Sequence, residues 1–400
     1  MERVAFPTVG GLAYSAGSLG IKRGGVDDAA LFALPHHAAY AGVFTTNAFR
    51  SACVESALAR LHAGKTIKAV LVTSGNANAG TGLAGRADTE SLAAAVASEL
   101  ACQADEVIVL HTGVIGVPLG SARLLPAIPD LVAGLSAAQE AGERAARAMM
   151  TTDTFPKMST VSFPTATAGV GRIAGVAKGA GMIHPRLATM LSVIVTDVAI
   201  QPSALQTALE KAVKTSFNAI SVDGDTSPND SVILLAAGTG PVITEDSEDF
   251  PAFCEALRTL CEDLAKMIVR DGEGATKFIE IVITGATDEA DAERAAVTIA
   301  TSPLVKTAFY GEDFNPGRLL SAVGRSGAKM DLTHVTMTIG GVQVFQDGMF
   351  VSVSPEQAHA AMSATDIEVT VDLGVGTGAC RYFTCDLTDG YVRINADYTT

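Results

Sequence analysis

Short apolar, β-branched runs alternate with amphipathic helical stretches along most of the chain, and this alternation restricts the available folds more than any other feature. Residues 66–74 (TIKAVLVTS) read as a strand ending in a turn-rich loop, Gly75-Asn76-Ala77-Asn78-Ala79-Gly80. Residues 84–102 carry Leu92, Ala95, Val96 and Leu100 along one helical side. Residues 106–110 read as a short buried strand, and Ser136 as the N-cap of a helix reaching about residue 150. The alternation continues with a strand over 189–200, a helix over 203–217 and a strand over 232–236. A long helix over 249–270 follows, with Phe253, Leu257, Leu260, Leu264 and Ile268 as its stripe. A strand over 277–283 and a helix over 290–300 come next, and from residue 335 short strands alternate with Gly-rich turns. Strands and helices in this order bury one another's apolar faces as layers, which predicts a layered α/β protein.

Composition narrows the function. Of the 400 residues, 48% are hydrophobic and 18% charged, enough apolar material for a core and unlike a disordered chain. The formal charge of −15, with no long Lys/Arg block, makes the chain a poor partner for nucleic acid or an anionic membrane. Apolar runs such as 92–97 and 232–237 fall far below the roughly 20 residues a bilayer demands. The opening Met-Glu-Arg-Val-Ala-Phe lacks a signal-peptide layout. Six cysteines without a CxxC pair or a His at ligand spacing point to free thiols in a cytoplasmic protein, with no metal site.

Two segments have the residue types for acyl chemistry. The first is 178–191, KGAGMIHPRLATML. Gly179 and Gly181 permit close backbone approach, and Thr189 is a β-branched alcohol where a Gly/Pro loop meets an apolar run. Such a hydroxyl can attack its own preceding carbonyl. An N-to-O acyl shift and hydrolysis would then free the Thr189 amine, whose ordinary pKa near roughly 8 suits a general base. On residues alone, a plain strand residue after a Gly/Pro loop is the favoured reading. The second segment is His111-Thr112-Gly113-Val114-Ile115-Gly116, where a hydroxyl and a backbone N–H can face a developing oxyanion, each donor typically worth about 3 kcal/mol of barrier. An ordinary strand-end turn is the other reading.

Taken together, these residues resemble the ornithine acetyltransferases of arginine biosynthesis. The family's K-G-x-G-M-[IL]-x-P-x-x-A-T-M-L run is matched at 178–191, its T-G-V-I-G loop at 112–116 and its S-G-N-A-N-A loop at 74–79. T-T-D-T is matched at 151–154, D-G-D-T-S-x-N-D at 223–230 and E-G-A-T-K at 273–277. The terminal N-x-x-Y-x-T is matched by Asn395, Tyr398 and Thr400. The resemblance covers nearly the whole chain.

It implies a four-layer α/β/β/α sandwich similar to the N-terminal-nucleophile hydrolases, self-cleaved between Ala188 and Thr189. An α chain of residues 1–188 would carry the oxyanion loop and substrate motifs. A β chain of the remaining 212 residues, 189–400, would begin with the Thr nucleophile and end with the C-terminal binding segment. The two chains would associate, usually as α2β2. The implied reaction moves acetyl from N2-acetyl-L-ornithine to L-glutamate in ping-pong fashion, without a cofactor; some members also take acetyl-CoA, and no motif here decides that. Thr112 and Gly113 would form the oxyanion site. Lys178 would bind a substrate carboxylate, and Glu273 would orient or deprotonate the incoming amine. Thr151 or Thr152 would bond substrate, with Thr152 preferred, and Asn395 and Thr400 would complete the binding set.

Two rivals remain at this level: an amidohydrolase or aminopeptidase on the same scaffold, or a non-catalytic binding protein. Asp223, Asp225 and Asp230 read as a turn-rich loop ordering the core rather than as a cation site. His111 stands where the family has a small hydroxyl residue, and Phe383 where it has Trp.

Overall fold

The computed structural model describes residues 9–166, 169–184 and 190–397. Its strands, in chain order, are β1 (Ala13–Gly17), β2 (Ala29–Phe44), β3 (Ile67–Asn76), β4 (Val107–Val114), β5 (Lys157–Thr165), β6 (Gly169–Lys178), β7 (Leu191–Thr196), β8 (Ala199–Ile200), β9 (Ile220–Ser221), β10 (Ser231–Ala236) and β11 (Val242–Ile243). Then come β12 (Phe278–Ala286), β13 (Thr336–Ile339), β14 (Val342–Gln346), β15 (Met349–Phe350), β16 (Asp366–Asp372) and β17 (Gly378–Cys385). The α-helices are α1 (Ala52–His62), α2 (Gly82–Glu99), α3 (Ile128–Ala133), α4 (Gln139–Ala148), α5 (Pro202–Lys214), α6 (Phe250–Arg270), α7 (Glu289–Ala300), α8 (Pro303–Tyr310), α9 (Pro316–Gly324), α10 (Pro355–Ser363) and α11 (Asp389–Asp397).

The first sheet runs β4-β3-β2-β10-β7-β6-β5, with β1 also on β2. Its 16-residue β2 joins two leaflets. Ala29–Ala33 and Ala38 pair with β3, residues 39–44 pair with β10, and the register shifts between Ala33 and Ala38. Successive strand side chains point to opposite faces, so both faces must be apolar if both are covered. Leu31, Ala69, Leu71, Val107 and Val109 pack with Leu92 and Val96 of α2 and Leu131 of α3. The alternate residues Phe32, Val70, Val72, Ile108 and Leu110 share a core with Val193, Val195, Ile233 and Leu235 of the other leaflet. Beyond that leaflet, Ile194, Val232 and Leu234 pack on Leu205 and Leu209 of α5 and Leu257, Leu260 and Leu264 of α6. The sequence of layers is therefore helix, leaflet, leaflet, helix, as the resemblance implies.

Strands on either side of residue 189 are neighbours in this sheet. β6 and β7 pair antiparallel from Ile173↔Thr196 to Lys178↔Leu191, and β7 pairs parallel with β10. A second sheet, β15-β14-β13-β16-β12-β17-β9, packs Ile281, Ile283, Val369 and Val371 against Ala296 and Ile299 of α7, Phe309 of α8 and Val323 of α9. It joins the first unit through Phe278, Phe383 and Cys385, which belong to the α5–α6 core.

Several boundaries differ from the sequence reading. The 189–200 run is not one strand: β7 stops at Thr196, and the Asp197 carboxylate turns back to accept Arg172 N–H at 2.8 Å. Ser136 does not cap α4. Its backbone bridges to Tyr14, and its hydroxyl accepts the N–H of Ala138, the residue just before the helix, at 3.1 Å. Helices α10 and α11 stand in the tail read as strands and turns. Only Ala361 and Met362 are buried in α10 and no residue in α11, so neither carries a strong apolar period.

Candidate active site

A cleft of about 140 Å³ opens where β4, β6, the 223–230 loop, the segment after α6 and α11 converge. Thr112, Gly113, Thr151, Thr152, Lys178, Glu273 and Asn395 all line it. Seven of the sequence-predicted residues thus meet in one place. Ala188, Thr189 and Thr400 lie outside the described residues.

Thr112 and Gly113 sit at the end of β4, beside Ser74 and Gly75 of β3 in parallel register. The strands approach so closely here that a Cβ on Gly113, whose φ is +133°, would overlap the Gly75 carbonyl carbon. Glycine is therefore required, and its backbone is held firmly against its neighbour. The Thr112 hydroxyl accepts Lys178 Nζ–H at 3.2 Å, which leaves its own proton to donate.

Lys178 ends β6, opposite Leu191, and is 2% exposed. Its Nζ also donates to Thr151 Oγ1 at 3.0 Å. Burial draws its ammonium below the ordinary lysine range, while the Asp153 charge works the other way. Thr151 is thus engaged by Lys178, and Thr152 lines the cleft beside it.

Glu273 is reached by the turn after α6. Its N–H donates to Ala180 O at 2.9 Å, and its carboxylate accepts Asn395 Nδ2–H at 2.7 Å. Gly181 makes room for it: a Cβ there would run into the Glu273 carboxylate.

The acidic loop orders backbone, as its composition suggests. Asp223 accepts the N–H groups of Met182 at 2.6 Å and Ile183 at 3.0 Å, and burial pushes its carboxyl up. Asp230 accepts Met190 N–H at 3.0 Å and is pushed well above the usual carboxylate range by burial. Asn229 Nδ2 donates to Ala77 O at 2.6 Å and His111 O at 2.8 Å, tying this loop to the 74–79 loop and to β4. Among the described residues, no group of three or more His, Cys, Asp or Glu is placed to hold a metal ion.

His111 points away from the cleft. Its ring lies between Thr73 Oγ1 (2.7 Å) and Thr89 Oγ1 (3.3 Å), and burial lowers its pKa to about 4, so it is a neutral core residue. The departure at this position leaves Thr112 and Gly113 undisturbed. Phe383 stacks on Phe278, centroids 5.8 Å apart, and serves packing. Sequence reasoning did not single out Asn229 or Tyr391 as site residues, although both line the cleft. Asn229 was legible within the D-G-D-T-S-x-N-D match; Tyr391, on a helix without buried residues, had no such signal.

The arrangement gathers a threonine hydroxyl, a buried lysine and a carboxylate around one cleft, groups of the kind that acyl transfer between amino acids requires. Comparison with known proteins identifies the family. The ArgJ family profile matches residues 13–400. The "Arginine biosynthesis bifunctional protein ArgJ" of Geobacter sulfurreducens is 46% identical across 98% of this chain and 100% of its own length. The Agrobacterium fabrum protein of the same name is 42% identical across 98% of this chain and 96% of its own. A crystal structure of the Bacillus halodurans protein of that name is 43% identical with a TM-score of 0.51, over 52% of this chain and 100% of the solved one. A match that runs through both leaflets and every segment of the cleft makes this chain a member of the ArgJ family.

Proposed function

We propose that the protein is a glutamate N-acetyltransferase of arginine biosynthesis, taking acetyl from N2-acetyl-L-ornithine and passing it to L-glutamate. The observation that carries this reading is the convergence of Thr112, Gly113, Lys178 and Glu273, from three distant segments, in one cleft. An acetylated amino acid presents an amide to cleave, a carboxylate to hold and an amine to release, and the four residues answer these needs in turn.

In this mechanism the Ala188–Thr189 bond is first broken by the Thr189 hydroxyl, leaving an α chain and a β chain. The freed Thr189 amine activates its own hydroxyl, which attacks the acetyl carbonyl. Thr112 and the Gly113 N–H stabilise the oxyanion, Lys178 holds the α-carboxylate, and Thr152 bonds the substrate, since Thr151 already serves Lys178. Ornithine leaves with a proton. Glutamate then attacks the acetyl-Thr189 ester with its amine directed by Glu273, while Asn395 fixes Glu273 and Thr400 completes the binding set. No cofactor enters; acetyl-CoA is a second donor in the bifunctional form of the reaction, in keeping with the relatives' name. We place the working enzyme in the cytoplasm as α2β2.

The test is direct. Denaturing electrophoresis is expected to give bands of about 19 and 22 kDa, in proportion to the 40.9 kDa chain, the larger beginning Thr-Met-Leu. Labelled acetylornithine should leave acetyl on that larger fragment, and Thr189→Ala should give one uncut, inactive chain. Acetate release that glutamate does not suppress would mark a hydrolase instead. Transfer by an uncut chain would overturn the mechanism.

A further inference from the structure

Behind the cleft, and outside its lining, three buried charges meet. Lys157 Nζ lies 2.7 Å from Asp153 Oδ1 and 2.5 Å from Asp271 Oδ2, and the three side chains are at most 1% exposed. Such a trio is expensive to desolvate, and well-packed apolar residues often serve stability equally well. Its hydrogen bonds, however, go to the segments that carry the cleft. Asp153 Oδ1 accepts Gly179 N–H at 2.7 Å and Oδ2 accepts Thr151 N–H at 3.0 Å. Asp271 accepts Thr154 N–H at 3.0 Å and the Thr154 hydroxyl, two residues before Glu273. One ion trio therefore grips the chain beside Thr151, Lys178 and Glu273.

Charge gives a second, independent argument. Among the described residues, Lys178 Nζ bonds two hydroxyls and has no carboxylate within ion-pair distance. A buried ammonium in such company sheds its proton readily and would then attract no carboxylate. The groups facing it are Asp153, Asp230 and Glu273, which favour the ammonium, and Lys157 and Lys22, which oppose it. Asp153 is the strongest of the three anions. Because Asp271 shares in neutralising Lys157, Asp153 keeps charge to offer Lys178.

We propose that Asp153, backed by the Lys157–Asp271 pair, is a positioning residue that holds Lys178 in place and in its charged form. This rests on Lys178 being the carboxylate contact of the proposed reaction. Removing the Asp153 anion lets Lys178 lose its proton at lower pH, so glutamate binding weakens from a lower pH upward.

The experiment is the pH dependence of KM for glutamate, with acetylornithine as donor, in the full protein. Asp153→Asn keeps an acceptor for Gly179 N–H but removes the charge; it should move the alkaline rise in KM down by about one pH unit or more. The double variant Lys157→Met/Asp271→Asn removes a cation and an anion together; it should lower the melting temperature without moving that rise down, since the lost Lys157 opposes the Lys178 ammonium. A rise in Asp153→Asn that coincides with wild type, or an equal shift in both variants, would overturn the inference. If Asp153→Asn does not fold, Asp271→Asn alone should shift the rise in the same direction by less, and no shift would again overturn it. A wild type that transfers no acetyl at any pH counts against the proposed function instead; the same comparison is then read from calorimetric binding of glutamate.

Discussion

Thr112 and His111 are adjacent on β4 and face opposite sides of it, and each makes a separate prediction. The Thr112 hydroxyl is held by Lys178 with its proton available to the cleft. On the proposed oxyanion role, Thr112→Ala should lower kcat by about 10²- to 10³-fold with little change in KM. A change confined to KM would place Thr112 in ground-state binding only. His111 is neutral and fully buried, with a pKa of about 4 against 6.5 in an unfolded chain. Between these values the unfolded state binds the extra proton, so stability is full above about pH 6.5 and is lost as pH falls toward about 4. The difference is worth about 3 kcal/mol. His111→Gln should remove this part of the acid sensitivity, giving urea midpoints that fall less between pH 6.5 and 4. Equal acid losses in both proteins would refute the assignment. The sequence marked His111 as unusual but not which way it points, because facing is decided by pairing with β3.

At the scale of elements, the chain's own pattern was informative where a helix or strand is long and buried. The stripe of Phe253, Leu257, Leu260, Leu264 and Ile268 defines α6, and all five are buried. Pattern failed where elements are short or solvated. α11 buries no residue, yet it brings Asn395 to Glu273 and Tyr391 to the cleft. A chain ending after Thr388 should therefore keep its melting temperature within a few degrees while KM for substrate rises by at least about tenfold, or activity disappears. A large loss of stability would instead assign α11 to the core. Gly181→Ala is a second element-scale case: the added methyl would force the Glu273 carboxylate aside, with kcat falling more than stability. Site residues were legible because they sit in contiguous motifs. The Lys157–Asp271 contact was not, since its partners are 114 residues apart and neither lines the cleft.

At the scale of the whole molecule, the predicted cut falls between β6 and β7, which pair along their lengths, while β10 pairs with both β2 and β7. The two fragments should therefore co-migrate in native gel filtration and separate only in denaturant, in one cooperative transition. Separation in mild buffer would contradict a continuous sheet. The four layers were foreseen from family resemblance, but the sharing of one sheet by strands from both sides of residue 189 was not, because strand order depends on non-local pairing.

The single ribbon of β2 has a mechanical consequence. Thr112 rides on the leaflet paired to its first half, and Lys178 on the leaflet that its second half joins through β10 and β7. The separation of hydroxyl and ammonium is therefore coupled to the path of one strand, whose register shifts between Ala33 and Ala38. A change there, remote from any reacting atom, would retune the jaw rather than blunt its teeth.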